Sequence, residues 1–571
     1  MRLLQCLLSL MLVAGLAPVA IAQERLLTTK QVESLPYGTP VYGYSTLDPT
    51  GLTKFKGRFL SVMHNTIGSG HDWFAIELTS LSVVARGQSG SPLYVDVKGV
   101  RHKIGTLSFG ETWQQQGKVV FYATPIHEVL NVSTNAEQAP TGTTALSKLN
   151  ATANMRAMLQ KLLPENDSLR VMFDTTATSG VSAKGTPGPI IPGSVLGVQL
   201  AWGDFDFTSY GTVSQRDGDK IYMFGHPFLQ LGPVEYRLVP MKVLTVQQRY
   251  NNSYILAVPI TGAKAVGVIT QDRETAIYGV LGKEPENAIP VSIDLTTSSG
   301  QHKTFNFFSV ADPTLAPRII GMGVTTAIQS WSREMGPMTL FMNGKLEVEG
   351  SGDVEFSDSF TSISSGPFTG PFSVLASKTD AILSNRFTKA KIKKVSVTVK
   401  VFDEYRKLSI DSVSLDKPNF KPGESMSLRI TLGQPLKETK TVTLDVPLPA
   451  DLQYGVGKIV VGDASTIDAE ESASSGIVNL ASLVESLSGK RRPDAIYVYI
   501  VFPPSEGGTP GTGKSTPMQL GDLTAEVKNT SKRLSSNVEE FQLIVGNFQV
   551  DGKKEVQFKV GTASTKPASH P

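Results

Sequence analysis

Short runs of β-branched and aromatic residues, each bounded by turn residues, recur along most of the chain and restrict its fold more than any other feature. Examples are Val41–Tyr44, Phe59–Met63, Trp73–Leu78 and Val119–Tyr122. With 52 glycines and 34 prolines among 571 residues, turns are frequent enough to separate many such runs. Because short strands with turn residues between them favour sheets, the pattern predicts a mainly β protein.

The chain is too long for a single hydrophobic core, so we expect several domains. Leucine, alanine and methionine at near-helical spacing predict a helix over residues 144–163, which Pro164 ends. Beyond about residue 400, cleanly alternating runs predict a β-sandwich of the immunoglobulin-like kind. The predicted order is 1–22 signal peptide, 23–140 first β part, 141–190 helical and Gly/Pro linker, 191–400 second β part with a β extension, 401–560 β-sandwich, and 561–571 disordered tail.

The N-terminus has the pattern of an export signal. Arg2 supplies the positive charge, Leu3–Val19 is mostly apolar, and Ala20-Ile21-Ala22 is a small-x-small cleavage site. The only cysteine, Cys6, lies inside this segment, so the mature chain has no thiol for a disulfide, a cysteine nucleophile or a thiolate metal site. We expect a periplasmic or secreted protein of the bacterial envelope, with no transmembrane anchor after cleavage.

Charge and motif content exclude several function classes. Lys and Arg number 54 against 51 Asp and Glu, a net charge of +3, and no basic stripe carries interleaved aromatics. We therefore expect no nucleic-acid partner. No HExxH sequence, histidine cluster or calcium-loop repeat is present, so no metal and no cofactor is predicted.

One segment imitates a nucleotide-binding loop. Gly508–Ser515 fits the pattern GxxxxGK[ST] and follows a strand-like run. A phosphate loop must open a helix whose N-terminus faces the phosphates, and here Pro517 and Gly521 interrupt any such helix. We therefore expect a flexible hairpin loop and no nucleotide.

The run Gly87-Gln88-Ser89-Gly90-Ser91-Pro92, placed between two strand-like runs, is typical of an activated serine. A serine hydroxyl attacks a carbonyl only when a base accepts its proton and nearby donors hold the oxyanion. Glycine two residues before Ser89 lets the backbone bend so that N–H groups point at one spot. The alternative is an ordinary glycine-rich turn.

A serine nucleophile needs a base, and the chain has seven histidines. His64 lies only 25 residues before Ser89, which is short for a whole sheet between base and nucleophile. His226 follows an apolar strand and stands between Gly225 and Pro227, which would hold it in a fixed, accessible pose. His226 is the predicted base, and a structural turn histidine is the alternative.

Together these motifs resemble the SpoIVB peptidase family. Gly87–Pro92 is similar to that family's Gly-Met-Ser-Gly-Ser-Pro nucleophile motif, and Phe224-Gly225-His226-Pro227-Phe228 is similar to its histidine motif. Gly267–Arg273 resembles a further stretch of its long exported relatives. The resemblance covers roughly residues 36–130 and 190–285. It implies a chymotrypsin-like β-barrel serine peptidase in which Ser89 is the nucleophile, His226 the general base, and the N–H groups of Gly87 and Ser89 the oxyanion donors.

The chain departs from the family in several respects, one of which is the lack of a PDZ-like segment. Gln88 replaces the usual methionine, and the serine precedes the histidine, as in the long exported relatives. The orienting carboxylate is not identified by the motifs, and four candidates stay open: Asp72, Glu77, Asp204 and Asp206. An unoriented histidine lowers the rate by orders of magnitude, so this residue bears directly on activity.

The sequence therefore predicts an exported serine endopeptidase that cleaves a protein substrate of the cell envelope, its own chain included, by acyl transfer. The alternative is a non-catalytic, peptidase-like envelope scaffold that binds partners through the C-terminal β-sandwich. Geometry distinguishes the two hypotheses, because catalysis needs the Ser89 hydroxyl close to a ring nitrogen of His226.

Overall fold

The computed structural model is mainly β, with 55% strand and 13% helix, which confirms the predicted class. It describes residues 24–68, 71–80, 84–110, 119–133, 149–150, 174–175, 182–248, 253–332, 336–364, 366–435, 437–472, 477–489, 491–503, 529–535 and 537–561. The predicted signal peptide, most of the linker with its helix, the loop Gly508–Ser515 and the tail beyond residue 561 lie outside these residues. Among the described helices, none combines the length and the apolar character that a membrane crossing requires.

The chain divides into two compact units. The first gathers Met1–Thr152, Glu165–Gln199 and Thr208–Pro285, and the second gathers Ala153–Pro164, Leu200–Phe207 and Glu286–Pro571. Both sequence motifs that resemble the peptidase family fall in the first unit.

A closed six-stranded barrel forms the N-terminal part of the first unit. Its strands are β1 (Pro40–Asp48), β2 (Gly51–Gly68), β3 (His71–Leu78), β4 (Pro92–Val97), β5 (Val100–Gly110) and β6 (Val119–Pro125). They are arranged in the order β1-β2-β3-β6-β5-β4, and β4 pairs back with β1. Alternate residues such as Phe55, Phe74 and Ile76 point inward and are fully buried, as the period of two in a strand requires. Two short helices flank the barrel, α1 (Thr29–Glu33) and α2 (Ile126–Asn131).

A second ring of six strands follows with the same order. After the two-residue strands β7 (Leu149–Asn150) and β8 (Asp174–Thr175), the strands are β9 (Val195–Gly203), β10 (Phe207–Asp217), β11 (Lys220–Met223), β12 (Gly232–Gln247), β13 (Tyr254–Pro259), β14 (Gly267–Asp272) and β15 (Ile277–Leu281). Without β13, which pairs only along β12, the order is β9-β10-β11-β15-β14-β12, and β12 pairs back with β9. When the strands of each ring are numbered in chain order and β13 is left out, both rings have the same order: first, second, third, sixth, fifth, fourth.

The second unit contains a sheet with two helices and a region of two further sheets. The first sheet comprises β16 (Ala288–Thr297), β17 (His302–Val310), β18 (Met338–Val348), β19 (Gly352–Ser362) and β20 (Ile392–Phe402), in the order β17-β16-β20-β18-β19. Helices α3 (Ala316–Trp331) and α4 (Thr369–Leu383) pack against each other. Only the β16–β20 pair is parallel in this sheet.

The C-terminal region has a four-stranded and a six-stranded sheet around one apolar core. Its strands are β21 (Lys407–Leu415), β22 (Asn419–Phe420), β23 (Ser425–Gly433), β24 (Lys440–Pro447), β25 (Gly455–Gly462), β26 (Ala495–Val501), β27 (Asn529–Ser535), β28 (Val538–Ile544), β29 (Gln549–Asp551) and β30 (Lys553–Val560). Helices α5 (Ala464–Ser472) and α6 (Leu480–Leu487) lie between β25 and β26 in the chain. The two orders are β24-β23-β21-β29 and β22-β30-β25-β26-β28-β27.

Candidate active site

Ser89 lies in the loop that joins the third and fourth strands of the first barrel. Gly87 has φ 89° and Gly90 has φ 100°, values that favour glycine. A Cβ on Gly90 would also overlap the Thr212 carbonyl oxygen and lie 2.8 Å from the Phe224 amide nitrogen. Glycine is needed at position 90 because strand β10 and the residue that follows β11 approach the loop at this point.

Gln88 holds the loop from within. Its side chain is only 2% exposed, and its Oε1 accepts a hydrogen bond from the Ala85 amide at 2.6 Å. Its carbonyl oxygen accepts both the Ser91 amide at 2.9 Å and the Ser91 hydroxyl at 2.6 Å. Gln88 is therefore a structural element of the nucleophile loop, because its amide oxygen accepts the Ala85 hydrogen bond more strongly than a methionine sulfur would.

Two amides of this loop are left without a partner. The N–H groups of Gln88 and Gly90 donate to backbone carbonyls at 3.1 and 2.7 Å. Among the described residues, no hydrogen-bond acceptor meets the N–H groups of Gly87 and Ser89. These are the two amides predicted as oxyanion donors. Most backbone amides in native structures are paired, so two free ones beside a candidate nucleophile indicate a preformed acceptor site.

The second ring supports the loop through Thr212 of β10. The Thr212 amide donates to the Ser89 carbonyl at 2.9 Å, and its hydroxyl donates to the Gly87 carbonyl at 2.7 Å. The Tyr210 ring lies beside Gly87, where a Cβ would come within 2.9 Å of it. The carbonyls of Gly87 and Ser89 are therefore held by a strand more than 120 residues away in the chain, which fixes the two peptide planes that carry the Gln88 and Gly90 N–H groups.

His226 lies in the equivalent loop of the second ring, between its third and fourth strands, β11 and β12. The two residues before it adopt left-handed backbone conformations, Phe224 with φ 75° and Gly225 with φ 69°. A phenylalanine in this region carries strain of about 1–3 kcal/mol, which tertiary contacts must offset. The Thr124 hydroxyl of the first barrel donates to the Gly225 carbonyl at 2.6 Å and supplies one such contact.

The imidazole of His226 is 3% exposed and faces aromatic rings. Its centroid lies 5.2 Å from that of Phe109 and 5.7 Å from that of Phe224. Nδ1 lies 2.7 Å from the Pro227 carbonyl oxygen, which can only accept, so Nδ1 carries the proton and Nε2 carries the lone pair. Burial lowers the pKa of His226 to about 4, so the ring is neutral at physiological pH.

The structure brings Ser89 and His226 to the same strand but does not join them. The Ser89 hydroxyl donates to the Ser108 carbonyl oxygen at 3.2 Å. The next residue, Phe109, packs on the His226 ring. No hydrogen bond links the Ser89 hydroxyl to either nitrogen of His226 in this part of the chain. Catalytic hydrogen bonds are often long or misaligned without substrate, and proton transfer to His226 requires the Ser89 hydroxyl to leave the Ser108 carbonyl.

The candidate acids in the first barrel have other partners. Asp72 contacts His64 Nδ1 at 3.2 Å, and Glu77 forms a 2.8 Å ion pair with Arg58. His64, which lies close to Ser89 in the sequence, therefore pairs with an acid, but it does so on an exposed part of the barrel surface. Neither carboxylate bonds the His226 ring.

Asp204 and Asp206 lie in the segment 200–207, which groups with the second unit. The Asp204 carboxylate accepts the Asn306 amide at 2.8 Å and so supports the β9–β17 pairing. Asp206 immediately precedes β10. Within the described residues, the one hydrogen bond of the His226 ring is to the Pro227 carbonyl, so no carboxylate orients the imidazole directly.

A carboxylate that sequence reasoning passed over supports the histidine loop instead. Asp272, at the end of the fifth strand of the second ring, is fully buried, and it accepts the amides of Phe228, Leu229 and Leu231 at 2.8, 2.7 and 3.4 Å. Burial raises the pKa of Asp272 to about 6, while these N–H groups oppose the shift. The sequence did offer a hint of this residue, because Asp272 lies in Gly267–Arg273, the stretch that resembles the long exported relatives. Nothing in the local sequence, however, distinguishes this aspartate from others at strand ends.

The described residues hold no group of three His, Cys, Asp or Glu side chains that could bind a metal ion. The groups that the structure places at the site are a serine, a neutral histidine and backbone donors. Comparison of the chain with protein-family models, with curated proteins and with solved structures finds no match in any of the three.

Proposed function

We propose that this protein is an exported serine endopeptidase that cleaves proteins of the cell envelope, its own chain included, by acyl transfer. The observation that carries the proposal is the pair of unpartnered amides: that of Gly87, two residues before the candidate nucleophile, and that of Ser89, the nucleophile itself. A tetrahedral oxyanion needs two such donors, and no described residue uses the N–H groups of Gly87 and Ser89. The resemblance of both motifs to the SpoIVB peptidase family supports the same function.

In this mechanism His226 Nε2 takes the proton of the Ser89 hydroxyl as Oγ attacks the scissile carbonyl carbon. The carbonyl oxygen becomes an oxyanion held by the two free amides. The imidazolium then gives its proton to the leaving amine, and the peptide bond breaks to leave an acyl-serine. Water, deprotonated by the same nitrogen, releases the acyl group and restores the serine. The low pKa of His226 keeps its Nε2 unprotonated before each attack.

The Pro227 carbonyl takes the position behind the ring where a triad has a carboxylate. A carbonyl dipole orients the Nδ1–H but stabilises an imidazolium less than a full negative charge does. Asp272 would act one step further away, because its carboxylate fixes the loop 228–231 that follows the histidine. We therefore propose Asp272 as a positioning residue and expect a slow peptidase.

The architecture is compatible with this function. Two six-stranded rings with the same strand order present the serine and the histidine from equivalent loops. That arrangement supports the chymotrypsin-like barrel implied by the resemblance. The two-sheet C-terminal region would be an immunoglobulin-like accessory domain that binds substrates.

A non-catalytic scaffold is the second candidate, and one observation favours it. The Ser89 hydroxyl donates to the Ser108 carbonyl rather than to His226. If that hydrogen bond persists with a bound peptide, the serine cannot transfer its proton to the ring.

Labelling with a fluorophosphonate probe separates the two candidates. A peptidase is labelled at Ser89, and the labelling is lost in Ser89→Ala and reduced by orders of magnitude in His226→Ala. Ser61→Ala and His64→Ala, which change an exposed serine and an exposed histidine of the first barrel, should be labelled like the wild type. If the folded wild-type protein is not labelled by the probe, the peptidase hypothesis is refuted and the non-catalytic scaffold is favoured.

A further inference from the structure

A positively charged side chain without a partner lies directly beside the free amides. Arg86 precedes Gly87, and its guanidinium makes no hydrogen bond or ion pair with any described residue. Its Nη1 is shielded from solvent and has no acceptor. Burial lowers the pKa of Arg86 to about 10, and no acidic group contributes to the shift. Shielding a guanidinium nitrogen from water without giving it an acceptor costs free energy. We therefore expect a bound group to supply the acceptor when the protein functions.

The two buried cations among the described residues have carboxylate partners. Lys103 contacts Glu24 at 3.1 Å, and Arg491 is paired with Asp468 and Glu540. Arg86, which is half-buried, differs from both because its shielded Nη1 has no acceptor of any kind among the described residues. A ligand carboxylate could supply the missing acceptor.

The backbone fixes where this guanidinium can reach. The Arg86 amide donates to the Ser253 carbonyl at 2.8 Å, and the Arg86 carbonyl accepts the Ile255 amide at 2.8 Å. The preceding side chain, Ala85, packs into the cluster with Tyr210 and Ile255. Successive side chains of an extended segment point to opposite faces, so the Arg86 side chain leaves on the face away from that cluster.

We infer that Arg86 binds a carboxylate of the substrate and makes the site selective for acidic sequences, an inference that rests on the proposed function. Arg86 and Gly87 have Cα atoms about 3.8 Å apart, so the guanidinium lies within one side-chain length of the oxyanion donors. An extended peptide advances about 3.3 Å per residue, which places the recognised carboxylate within about three residues of the scissile bond. The planar guanidinium fork matches a carboxylate, which can accept two parallel hydrogen bonds from it.

Peptide binding to the Ser89→Ala protein tests the inference without any need for catalysis. A degenerate, C-terminally amidated peptide pool is captured on the immobilised protein and sequenced by mass spectrometry. We expect enrichment of Asp and Glu over Asn and Gln of about tenfold or more, because hydrogen bonds between charged groups are among the stronger ones. A second pool with free C-termini distinguishes the sources: binding of this pool alone would identify a terminal carboxylate instead of an acidic side chain.

Variants at position 86 decide the outcome. In Arg86→Met the acidic enrichment should fall to about one, whereas Arg86→Lys should keep part of it and Arg101→Met, which removes an exposed arginine of the same barrel, should keep all of it. The thermal midpoint of Arg86→Met should not fall, since no protein contact of the guanidinium is lost. No acidic preference in the Ser89→Ala protein, or the same preference in Arg86→Met, would overturn the inference. A protein that selects acidic peptides through Arg86 but is not labelled at Ser89 would refute the peptidase and leave this inference intact.

Discussion

The pH dependence of Ser89 labelling is the sharpest test of the role of His226. Burial among aromatic rings lowers the pKa of this imidazole to about 4. Its neutral, base-competent fraction is then about 0.9 at pH 5, against about 0.03 for a histidine of ordinary pKa. Between pH 7 and pH 5 the labelling rate should therefore fall by only about a tenth, where an ordinary histidine predicts a loss of about 25-fold.

The assay is the second-order rate of fluorophosphonate labelling at a series of pH values from about 4 to 8. His226→Ala should be slow at every pH, because the base is absent. A rate that declines tenfold per pH unit below about pH 6.5 would refute the argument from burial, since it would show a histidine titrating in contact with water.

Asp272 needs its own control because its pKa of about 6 lies inside the same range. The folded protein takes up this proton more readily than the unfolded chain, so Asp272 favours folding at low pH and loses that contribution as the pH rises through about 6. Asp272→Asn removes the titration. It should label more slowly at all pH values, because its amide group opposes the loop N–H donors, but its profile between pH 5 and 7 should stay flat.

Three further predictions concern stability and can be checked by thermal unfolding of the first unit. Gly90→Ala should destabilise by about 3 kcal/mol or more, because its Cβ would overlap a backbone carbonyl oxygen, whereas Gly38→Ala, with a similar φ but open space around it, should lose much less. Glu24→Gln should cost about 1.5–3 kcal/mol at neutral pH, because it removes the carboxylate partner of fully buried Lys103 and leaves its Nζ the Gln215 side-chain oxygen. Burial lowers the pKa of Lys103 to about 8, so this loss should shrink near pH 9.5, and an equal loss at both pH values would contradict the account. His71→Gln should destabilise more at pH 6 than at pH 8: hydrogen bonding to a helix α2 carboxylate raises the pKa of His71, so its contribution is present at low pH and is lost as the pH rises.

The fold class and the local shape of the nucleophile loop could be predicted from the sequence. Strand-forming runs can be predicted because they depend on neighbouring residues. The need for glycine before Ser89 is also local, and the structure confirms it, since Gly87 has a left-handed backbone conformation. The proximity of the two motif loops followed from the resemblance, not from any local pattern. No sequence rule relates Ser89 to Thr212, although the Thr212 amide donates a hydrogen bond to the Ser89 carbonyl.

The groups around the histidine were beyond sequence reasoning. Asp72, Glu77, Asp204 and Asp206 were chosen as acids near the motifs in the chain, but hydrogen bonding depends on distance in space. The carboxylate that fixes the loop 228–231 is Asp272, which reaches it across the pairing of β12 with β14. The acceptor behind the ring is a backbone carbonyl, and every residue has one, so its use leaves no trace in the sequence.

The sequence alone therefore determined which residue types were present and how the backbone could bend around Ser89, because both are local properties. Tertiary structure decided three other matters: which amides stay free, which buried groups have partners, and how far the pKa of His226 falls. Thr212 takes the carbonyls of Gly87 and Ser89, while the N–H groups of these two residues stay unbonded among the described residues. Burial and pairing depend on atoms brought together from distant parts of the chain, and no reading of neighbouring residues can supply them.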